Sequence, residues 1–472
     1  MLAFDIRRAC PSSYVNTDFA SLPLSPALLD NLKSLDFTAM TPIQAQSLPD
    51  ILQGRDVIAK AKTGSGKTAA FGLGILSKLN PASFNVQAVV LCPTRELADQ
   101  VGKDIRRLAR TLPNIKLITL CGGTALGPQI GSLEYGAHIV VGTPGRIQKH
   151  LDMGTLRLER MQTLVLDEAD RMLDMGFEEA IKDVIKHMPA NRQTLLFSAT
   201  YPDSILKMSK SVQRNPLEVT VEAQHHDSAL EQLFFEINPE QRLDALSRLL
   251  RHYRPESAVV FCNTKADCQD VVDMLIDQGF SALDLHGDLE QKDRDLVLVR
   301  FSNKSVSVLV ATDVAARGLD IKDLSAVINY EPAWDAEVHV HRVGRTGRAG
   351  QKGLALTLFA PREAGRVGAV EVYQKAPITL KNLEELDHGN DKPLPSPMVT
   401  LVIQGGRKDK IRAGDILGAL TGEAGIPGSE VGKIDIADMV SYVAIRRSSA
   451  AKALNQLRNG NIKGRSFRVR QI

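Results

Sequence analysis

The stretch Val57-Ile-Ala-Lys-Ala61-Lys-Thr-Gly-Ser-Gly-Lys-Thr68 decides the fold class of this 472-residue chain. It consists of an apolar strand, a glycine-rich turn and the start of a helix, which is the context of a phosphate-binding loop. In such a loop the glycines let the backbone approach phosphate, Lys67 reaches the β- and γ-phosphates, and the Thr68 hydroxyl can bind Mg²⁺. An ordinary glycine-rich turn is the alternative, but the strand before it and the Lys-Thr ending argue against it. We therefore predict a nucleotide site made of Ala61, Lys62, Thr63, Gly64, Ser65, Gly66, Lys67 and Thr68.

A second apolar run, Thr163-Leu-Val-Leu-Asp167-Glu-Ala-Asp170, ends in carboxylates. Ligands bind at the carboxyl edge of a parallel sheet, and this run places Asp167 at that edge. We predict that Asp167 holds Mg²⁺, usually through water, and that Glu168 positions the water that attacks the γ-phosphate. A helix N-cap followed by first-turn acids is the alternative for this segment taken alone.

Short runs rich in Val, Ile and Leu alternate with helix-length amphipathic segments from about residue 55 onward. This alternation is typical of buried parallel strands and their crossover helices. The predicted fold class is α/β, with two tandem parallel-sheet domains followed by a small α+β domain. The predicted boundaries are an N-terminal arm 1–18, a first domain 19–218, a second domain 219–376, a proline-containing linker 377–397 and a C-terminal module 398–472.

The C-terminal module has the order strand, helix, strand, strand, helix, strand, which is ferredoxin-like. Its net charge is +7, whereas the rest of the chain sums to −4, and residues 446–472 hold eight basic residues and no acidic one. Such a distribution predicts either a polyanion-binding face or a merely solvated basic face, and charge alone favours neither.

The composition excludes several classes of protein. Hydrophobic residues make up 43% and charged residues 24%, which is typical of folded globular chains. No run approaches the length of a membrane span, and the first residues lack the apolar core of a secretory signal. The five cysteines are odd in number and include no C-x-x-C pair, so we expect reduced thiols and a cytoplasmic protein without a membrane partner.

The motifs, taken in order, resemble those of the DEAD-box RNA helicases, since the chain contains Asp167-Glu-Ala-Asp170 itself. The resemblance implies two RecA-like domains of the P-loop NTPase class, with ATP and Mg²⁺ as cofactors. It implies that Phe19 stacks on adenine, that Gln44 reads it, and that Asp320 lies near the nucleotide. An amide can pair with adenine N6 and N7, which gives selectivity for ATP a physical reason. The implied catalytic residues are Lys67, Asp167, Glu168 and two arginine fingers that act across the interdomain cleft, Arg345 and Arg348.

The same resemblance implies an RNA-binding surface and a coupling set. The residues expected to contact RNA in the two domains are Thr94, Arg95, Gly123, Thr143, Arg146, Gln291, Arg294, Thr312 and Arg317. The residues expected to couple the ATP and RNA sites are Asp170, Ser198, Thr200 and His341.

The C-terminal module resembles the RRM-like module of a bacterial group within this family. That resemblance implies recognition of a 23S ribosomal RNA hairpin near the peptidyl-transferase centre, and a role in assembly of the large ribosomal subunit. Ordinary RRMs stack bases on two or three sheet aromatics, but here the corresponding strands offer only Tyr442. We therefore predict recognition by charge and shape, through Lys433, Arg446, Arg447, Lys463 and Arg465.

Four alternatives remain at the level of the sequence: a non-enzymatic RNA clamp, a DEAD-box helicase without ribosomal RNA specificity, a DNA helicase, and a small-molecule kinase. Intact Lys67, Glu168 and Arg345 argue against the clamp. A kinase would need an acceptor site, and two linked α/β halves with a basic third module offer no obvious one. Contacts to ribose 2′-hydroxyls distinguish RNA from DNA, so only the family resemblance favours RNA here.

Overall fold

The computed structural model describes residues 16–61, 64–221, 230–316, 324–347, 353–386, 392–423 and 425–472. Two compact units divide the chain near residue 225. The first unit contains the phosphate loop. The second unit contains the other α/β domain together with the C-terminal module. Within the described ranges, no helix combines the length and the apolar character that crossing a bilayer requires.

The first domain has a parallel sheet at its centre. Its described part contains seven strands in the order β3-β4-β2-β5-β6-β1-β7. They are β1 Val57–Lys60, β2 Ala88–Leu91, β3 Leu117–Leu120, β4 Ile139–Gly142, β5 Thr163–Asp167, β6 Gln193–Ser198 and β7 Leu217–Thr220. The helices are α1 Pro26–Ser34, α2 Pro42–Leu52, α3 Lys67–Lys78, α4 Arg95–Leu108, α5 Leu126–Glu134, α6 Pro144–Asp152, α7 Ala169–Asp174, α8 Glu178–Lys186 and α9 Asp203–Val212.

The second domain repeats this plan, with the strand order β10-β11-β9-β12-β13-β8-β14 among the residues that the structure describes. The strands are β8 Leu230–Glu236, β9 Ala258–Cys262, β10 Ala282–Leu285, β11 Val308–Thr312, β12 Ala326–Asn329, β13 Gly353–Phe359 and β14 Thr379–Lys381. The helices are α10 Arg242–Tyr253, α11 Lys265–Asp277, α12 Gln291–Ser302, α13 Asp313–Ala316, α14 Ala336–Val343 and α15 Ala364–Gln374.

The C-terminal module is an antiparallel sheet of order β16-β17-β15-β18. Its strands are β15 Met398–Ile403, β16 Val431–Ile436, β17 Ser441–Arg446 and β18 Val469–Gln471, and its α-helices are α16 Ala413–Gly418 and α17 Ala450–Asn459. The chain order of these elements is the predicted ferredoxin-like one. Alternate residues of β15, including Leu401 and Ile403, form the module's core with both helices.

The burial of the strands explains the apolar runs of the sequence. Strands β2, β4 and β5 are buried at every position, as expected where helices cover both faces of a parallel sheet. A threonine follows both β2 and β9 and caps the next helix. Thr94 Oγ1 accepts from Leu97 N at 3.2 Å, and Thr264 Oγ1 accepts from Asp267 N at 3.1 Å. These caps start both helices at the carboxyl edge of their sheet, where the predicted site residues lie.

Two edge strands differ from the predicted boundaries. Strand β7 spans the boundary placed at residue 218, because Leu217–Thr220 pairs with β1 of the first sheet. Strand β14 lies inside the predicted linker 377–397 but pairs with β8. Leu383 and Leu386 then pack into the core of the second domain, so the described part of the linker proper begins at residue 392. Both strands are short and largely exposed, so neither has the apolar run that is typical of the buried central strands.

Candidate nucleotide and RNA sites

The glycine-rich loop turns sharply between β1 and α3. Gly64 has φ +84° and Gly66 has φ +96°, a left-handed conformation that favours glycine. Space also requires glycine at the second position, because a Cβ on Gly66 would lie 2.4 Å from Gln44 Nε2. The loop therefore fixes the start of α3 directly beneath the Gln44 side chain.

Two polar atoms of this loop are buried without a hydrogen-bond partner in the described residues, Lys67 Nζ and Ser65 Oγ. Lys67 is only 6% exposed. A buried ammonium group normally needs an acceptor, so these atoms fit an anionic group at the N-terminus of α3, where the helix dipole also favours negative charge. Thr68 follows on the first turn of α3, and Ala61 N, just before the loop, donates to Ser198 O at 3.0 Å.

Five predicted site residues lie outside the described residues. Two belong to the phosphate loop, and three belong to the second domain. They are Lys62, Thr63, Arg317, Asp320 and Arg348.

Asp167 lies at the end of β5 with 3% of its surface exposed. Burial raises the pKa of its carboxyl to about 6, the Lys67 charge opposes that rise, and Glu168 adds to it. The nearby Asp167 also contributes to the raised pKa of the Cys92 thiol, of which burial is the main cause. An oxygen donor set of Thr68 and Asp167 beside a lysine is chemically suited to a magnesium–nucleotide complex.

Glu168 has a strained backbone, with φ +52° and ψ 53° at the N-cap of α7. Its N–H donates to Asp167 Oδ1 at 3.1 Å, so the two carboxylates are held next to each other. A non-glycine residue in this conformation is uncommon and costs about 1 kcal/mol or more, and such residues cluster at functional sites. The turn directs consecutive carboxylates to the edge of the sheet that also carries the phosphate loop.

Two of the three predicted coupling residues of the first domain, Asp170 and Thr200, are in direct contact. Asp170 Oδ2 accepts from Ala199 N at 3.2 Å, Thr200 N at 3.1 Å and Thr200 Oγ1 at 3.0 Å. Asp170 is 5% exposed, so its charge depends on these donors. Ser198 Oγ is buried and has no partner among the described residues. The segment after β6 is thus tied to the helix that begins next to Asp167 and Glu168.

Gln44 connects the predicted adenine-binding motif to the phosphate loop. Its Oε1 accepts from Thr41 N at 2.9 Å, and its Nε2 donates to Gly66 O at 3.0 Å. One amide proton and one carbonyl lone pair stay free for the N7 and N6 edge of adenine. Phe19 is 5% exposed and lies in the domain core, edge-on to Phe37 with the ring centroids 6.2 Å apart.

The predicted RNA residues of the first domain all follow strands of its sheet. Thr94 is the N-cap of α4 and Arg95 its first residue, while Thr143 is the N-cap of α6. Gly123, in the turn after β3, has φ +72° and is exposed. Arg146 Nη1 donates to the backbone oxygen of Thr124, 2.9 Å away in that same turn.

Sequence reasoning missed Gln129, which organises this RNA-site candidate. Its Oε1 accepts from Arg146 Nη1 at 3.1 Å, and its Nε2 donates to Cys121 O at 3.1 Å and to Thr124 Oγ1 at 2.7 Å. His150 Nε2 lies 2.9 Å from the same Oε1. Burial, with the nearby Arg146 charge, lowers the pKa of His150, which favours the neutral ring. Gln129 lies on α5, whose weak apolar pattern gave no signal.

In the second domain the predicted RNA residues lie around the start of α12. Gln291 Nε2 donates to Asp295 Oδ1 at 2.9 Å. Arg294 donates to the backbone oxygens of His286 at 3.4 Å and of Ala315 at 3.2 Å. Thr312 is 9% exposed at the end of β11. Arg294 therefore joins the turn after β10 to α13, which follows Thr312.

His341 lies on α14, and Arg345 lies just after it. Arg342, which sequence reasoning did not assign, holds this helix in place. Arg342 is 2% exposed. Its five N–H groups donate to Asp313 Oδ1 and Oδ2 (2.7 Å each), Asn263 Oδ1 (2.8 Å), Glu331 O (2.9 Å) and Asn329 Oδ1 (3.2 Å). The acceptors lie at the ends of β9, β11 and β12. Arg342 thus fixes the segment that carries Arg345.

The predicted basic residues of the C-terminal module divide into two groups. Lys433 Nζ donates to Ser302 Oγ of α12 at 2.8 Å, and Arg447 Nε donates to Ser396 O at 2.7 Å. Lys463 Nζ likewise donates to Lys410 O at 3.0 Å and lies 3.8 Å from Asp415 Oδ2, so these three cations hold protein groups. The other two, Arg446 and Arg465, are exposed.

Comparison with known proteins gives matches to three families. Residues 41–208 match the DEAD/DEAH box helicase family, residues 241–350 match the helicase conserved C-terminal domain, and residues 400–471 match the DbpA RNA binding domain. The three matches fall on the two α/β domains and on the C-terminal module. They confirm the family resemblance predicted from the motifs.

Individual relatives agree with these matches. The chain is 54% identical over 457 residues to the ATP-dependent RNA helicase DbpA of Escherichia coli K12, covering 97% of this chain and 100% of that protein. It is 43% identical over 372 residues to the DEAD-box ATP-dependent RNA helicase CshA of Bacillus cereus, covering 79% of this chain and 71% of that protein. Saccharomyces cerevisiae Dbp5 bound to RNA and ADP BeF3 matches the structure with a TM-score of 0.70 and 30% identity, over 78% of this chain and 96% of that one.

Proposed function

The chain belongs to the DEAD-box family of ATP-dependent RNA helicases, and from that membership we propose that it opens short duplexes of 23S ribosomal RNA during large-subunit assembly in the cytoplasm. It is an RNA-binding, RNA-dependent ATPase. The observation that carries the ribosomal target is the match of residues 400–471 to the DbpA RNA binding domain. The excess of positive charge in the same residues supports it.

The proposal assigns each residue of the ATP site a separate task. Lys67, whose buried ammonium group has no partner in the described residues, binds the β- and γ-phosphates. Thr68 and Asp167 would hold Mg²⁺, which neutralises charge on the phosphates when it is bound. Glu168 positions the attacking water. Its backbone N–H donates to Asp167 Oδ1, which keeps the two residues side by side. Arg345 and Arg348 supply positive charge to the transferring phosphoryl group.

Selectivity for adenine is proposed to come from the free amide proton and lone pair of Gln44. Guanine presents O6, an acceptor, where adenine presents an N6 donor, so the same amide cannot pair with both in one orientation. The hydrogen bonds of Gln44 to Thr41 N and Gly66 O fix that orientation. Phe19 is proposed to supply the apolar contact to the base.

RNA binding by the core is proposed to involve the residues after the strands of both sheets. Arg95 and Arg146 would contact phosphates in the first domain, and Gln291, Arg294 and Arg317 would do so in the second. Asp170, Ser198, Thr200 and His341 are proposed to couple ATP binding to RNA binding. Coupling of this kind is reciprocal, so RNA should tighten ATP binding by the same factor as ATP tightens RNA binding.

The C-terminal module is proposed to choose the RNA. Two exposed cations, Arg446 and Arg465, are available to phosphates of a folded hairpin. Lys433, Arg447 and Lys463 hold protein groups, so we expect them to contribute less to RNA affinity.

The test is RNA-stimulated ATPase activity of the full chain with no RNA, with bulk RNA, and with a 23S fragment that carries the peptidyl-transferase hairpin. The double variant Arg446→Glu/Arg465→Glu should lose the preference for the fragment and keep the activity with bulk RNA. The exposed pair Lys207→Glu/Lys210→Glu in the first domain makes the same charge change and should leave the preference intact. Equal stimulation by every RNA would favour a general helicase, and no stimulation would favour a non-enzymatic clamp.

A further inference from the structure

The sheet of the C-terminal module has two faces with different neighbours. Leu401 and Ile403 point toward its helices, so Thr400 and Val402 point to the opposite face. There they stand directly across from Ala444 and Tyr442 of β17. Ordinary RRMs leave this face open and stack RNA bases on it.

In this chain that face is closed. Thr400 is 0%, Ala444 1% and Val402 3% exposed. The module's own helices lie on the other side of the sheet, so a different part of the chain must cover these residues.

The cover is the segment Ser302–Ser305 at the end of α12 in the second domain. Thr400 Oγ1 accepts from Asn303 Nδ2 at 3.1 Å and lies 2.7 Å from Ser305 Oγ. The backbone adds a third contact, because Met398 N donates to Lys304 O at 3.3 Å. Asn303 and Ser305 are 2% and 7% exposed, so these polar groups are buried together. The Asn303 amide nitrogen and both hydroxyls find partners, whereas Asn303 Oδ1 has none in the described residues.

Charged and aromatic side chains surround this centre. Lys433 Nζ on β16 donates to Ser302 Oγ. Tyr442 on β17 is half-buried, and burial raises the pKa of its phenol, with the Asp295 carboxylate adding to that rise and Arg470 opposing it. With Lys433 on β16, the buried Ala444 on β17 and Thr400 on β15, the covered face extends across three adjacent strands of the module.

The chain that leads into the module is fixed as well. Arg447 donates through Nε to Ser396 O and through Nη2 to Ser396 Oγ, and Arg447 N donates to Pro397 O at 3.0 Å. Ser396 is 1% exposed. The residues just before β15 are thus fixed to the module itself.

We infer that the sheet face centred on Thr400 is a docking surface for the segment Ser302–Ser305 of the same chain, and that RNA does not occupy it. RNA taken up by the module then binds on its exposed basic side and moves with the second domain as one body. The statement about RNA rests on the proposed function, whereas the docking itself does not.

Cross-linking in the full chain tests the docking. The variant carries Ser302→Cys and Lys433→Cys, with Cys10→Ser, since the cysteines in the described ranges are buried. A short bis-maleimide should link the two thiols within one chain. The matched control replaces Lys433→Cys by Lys452→Cys, an exposed residue of α17 on the helical side of the sheet, and should stay unlinked. Equal linking of both pairs, or of neither, overturns the docking.

The same protein tests whether RNA uses this face. Saturating 23S fragment should leave the cross-linking rate unchanged, and the linked protein should bind the fragment with a Kd within twofold of the unlinked protein. If RNA blocks the link, or if linking abolishes RNA binding, the sheet face is the RNA site and the inference fails. If linking succeeds but no RNA preference exists, the proposed function fails while the docking stands.

A substitution isolates the central hydrogen bonds. Thr400→Val keeps the shape of the side chain but removes its hydroxyl, and should slow cross-linking at least fivefold. Thr421→Val makes the same change at a half-buried site of the module, where the hydroxyl donates to Leu417 O of its own helical turn, and should have no effect. Retained ATPase activity shows that the variants fold. Equal rates for the two variants would contradict the role of Thr400.

Discussion

Thr200 donates its hydroxyl to Asp170 Oδ2 across 3.0 Å, and its backbone N–H donates to the same oxygen across 3.1 Å. Asp170 belongs to the helix that begins next to Asp167 and Glu168, the proposed catalytic carboxylates, and Thr200 follows the strand that ends in Ser198. One buried carboxylate oxygen thus joins the proposed ATP site to a segment proposed to respond to RNA. A change at the hydroxyl should alter the communication between the sites more than the binding of ATP.

Thr200→Val tests this link. A hydrogen bond to a charged group contributes about 1.5 kcal/mol or more, so RNA unwinding per ATP hydrolysed should fall about tenfold. The Kd for ATP should stay within twofold, because the phosphate loop is untouched. Thr194→Val is the matched control. Thr194 lies on β6, the strand that precedes Thr200, and its Oγ1 is buried without a partner in the described residues, so its loss breaks no hydrogen bond. Equal unwinding by the two variants would contradict the link.

Arg342→Lys should disrupt the second domain although the charge is kept. Lysine has three donors where the guanidinium uses five, so at least two buried acceptors lose their partner. We expect the free energy of unfolding to fall by about 3 kcal/mol, because each buried acceptor left without its partner costs about 1–3 kcal/mol. The kcat of the ATPase should fall as well, because Arg345 lies three residues further along the chain.

Urea unfolding followed through the single tryptophan, Trp334 of the second domain, measures this effect. Arg362→Lys, an exposed arginine of the same domain, is the control and should match the original protein. An unchanged unfolding midpoint in Arg342→Lys would show that the five hydrogen bonds do not stabilise the domain.

The central strands of both sheets could be predicted because parallel strands covered on both faces must be apolar throughout, as in Ala88–Leu91 and Ala258–Cys262. The edge strands could not. Leu217–Thr220 and Thr379–Lys381 have exposed positions and carry charged residues, and Leu380 is 60% exposed, so their pairing depends on the neighbouring strand rather than on a local pattern.

The residues of the candidate sites also divide into those that the sequence pattern predicted and those that it did not. Lys67, Asp167 and Asp170 follow or adjoin apolar strands, so their clustering at one sheet edge was predictable from the strand pattern. The five hydrogen bonds of Arg342 join three strands that are distant in sequence. Thr400 alternates with Val399 and Leu401 as a solvent-facing residue would, yet the second domain buries it. Tertiary contacts of this kind have no counterpart in periodicity or spacing.

The pH dependence of stability should carry a contribution from His339. Burial, with the nearby Arg342 charge, lowers the pKa of this histidine from 6.5 to about 4. In the unfolded chain His339 therefore binds a proton below about pH 6.5, whereas in the folded domain it binds that proton only below about pH 4. Stability is present above pH 6.5 and is lost as the pH falls through this window, by about 2 kcal/mol between pH 7 and pH 5.

His339→Gln removes that titration. Urea unfolding followed through Trp334 should show a variant that is less stable at pH 7, because the ring stacks on Phe234 with the centroids 5.7 Å apart. The difference between variant and original protein should shrink by about 2 kcal/mol at pH 5. A constant difference from pH 7 to pH 5 would mean that His339 takes up its proton normally in the folded domain.

Glu168→Gln should separate ATP binding from ATP hydrolysis. The amide keeps the size of the side chain, so the strained turn at φ +52° and the hydrogen bond from its N–H to Asp167 should survive. It cannot position and polarise the attacking water as a carboxylate does, and turnover should fall about 100-fold or more while the Kd for ATP changes less than threefold. The measurement pairs single-turnover hydrolysis with binding of a fluorescent ATP analogue, each with and without RNA. Glu178→Gln, exposed on α8, is the matched control and should hydrolyse ATP normally. Turnover at the original rate in Glu168→Gln would remove this residue from the mechanism and leave the water to another group.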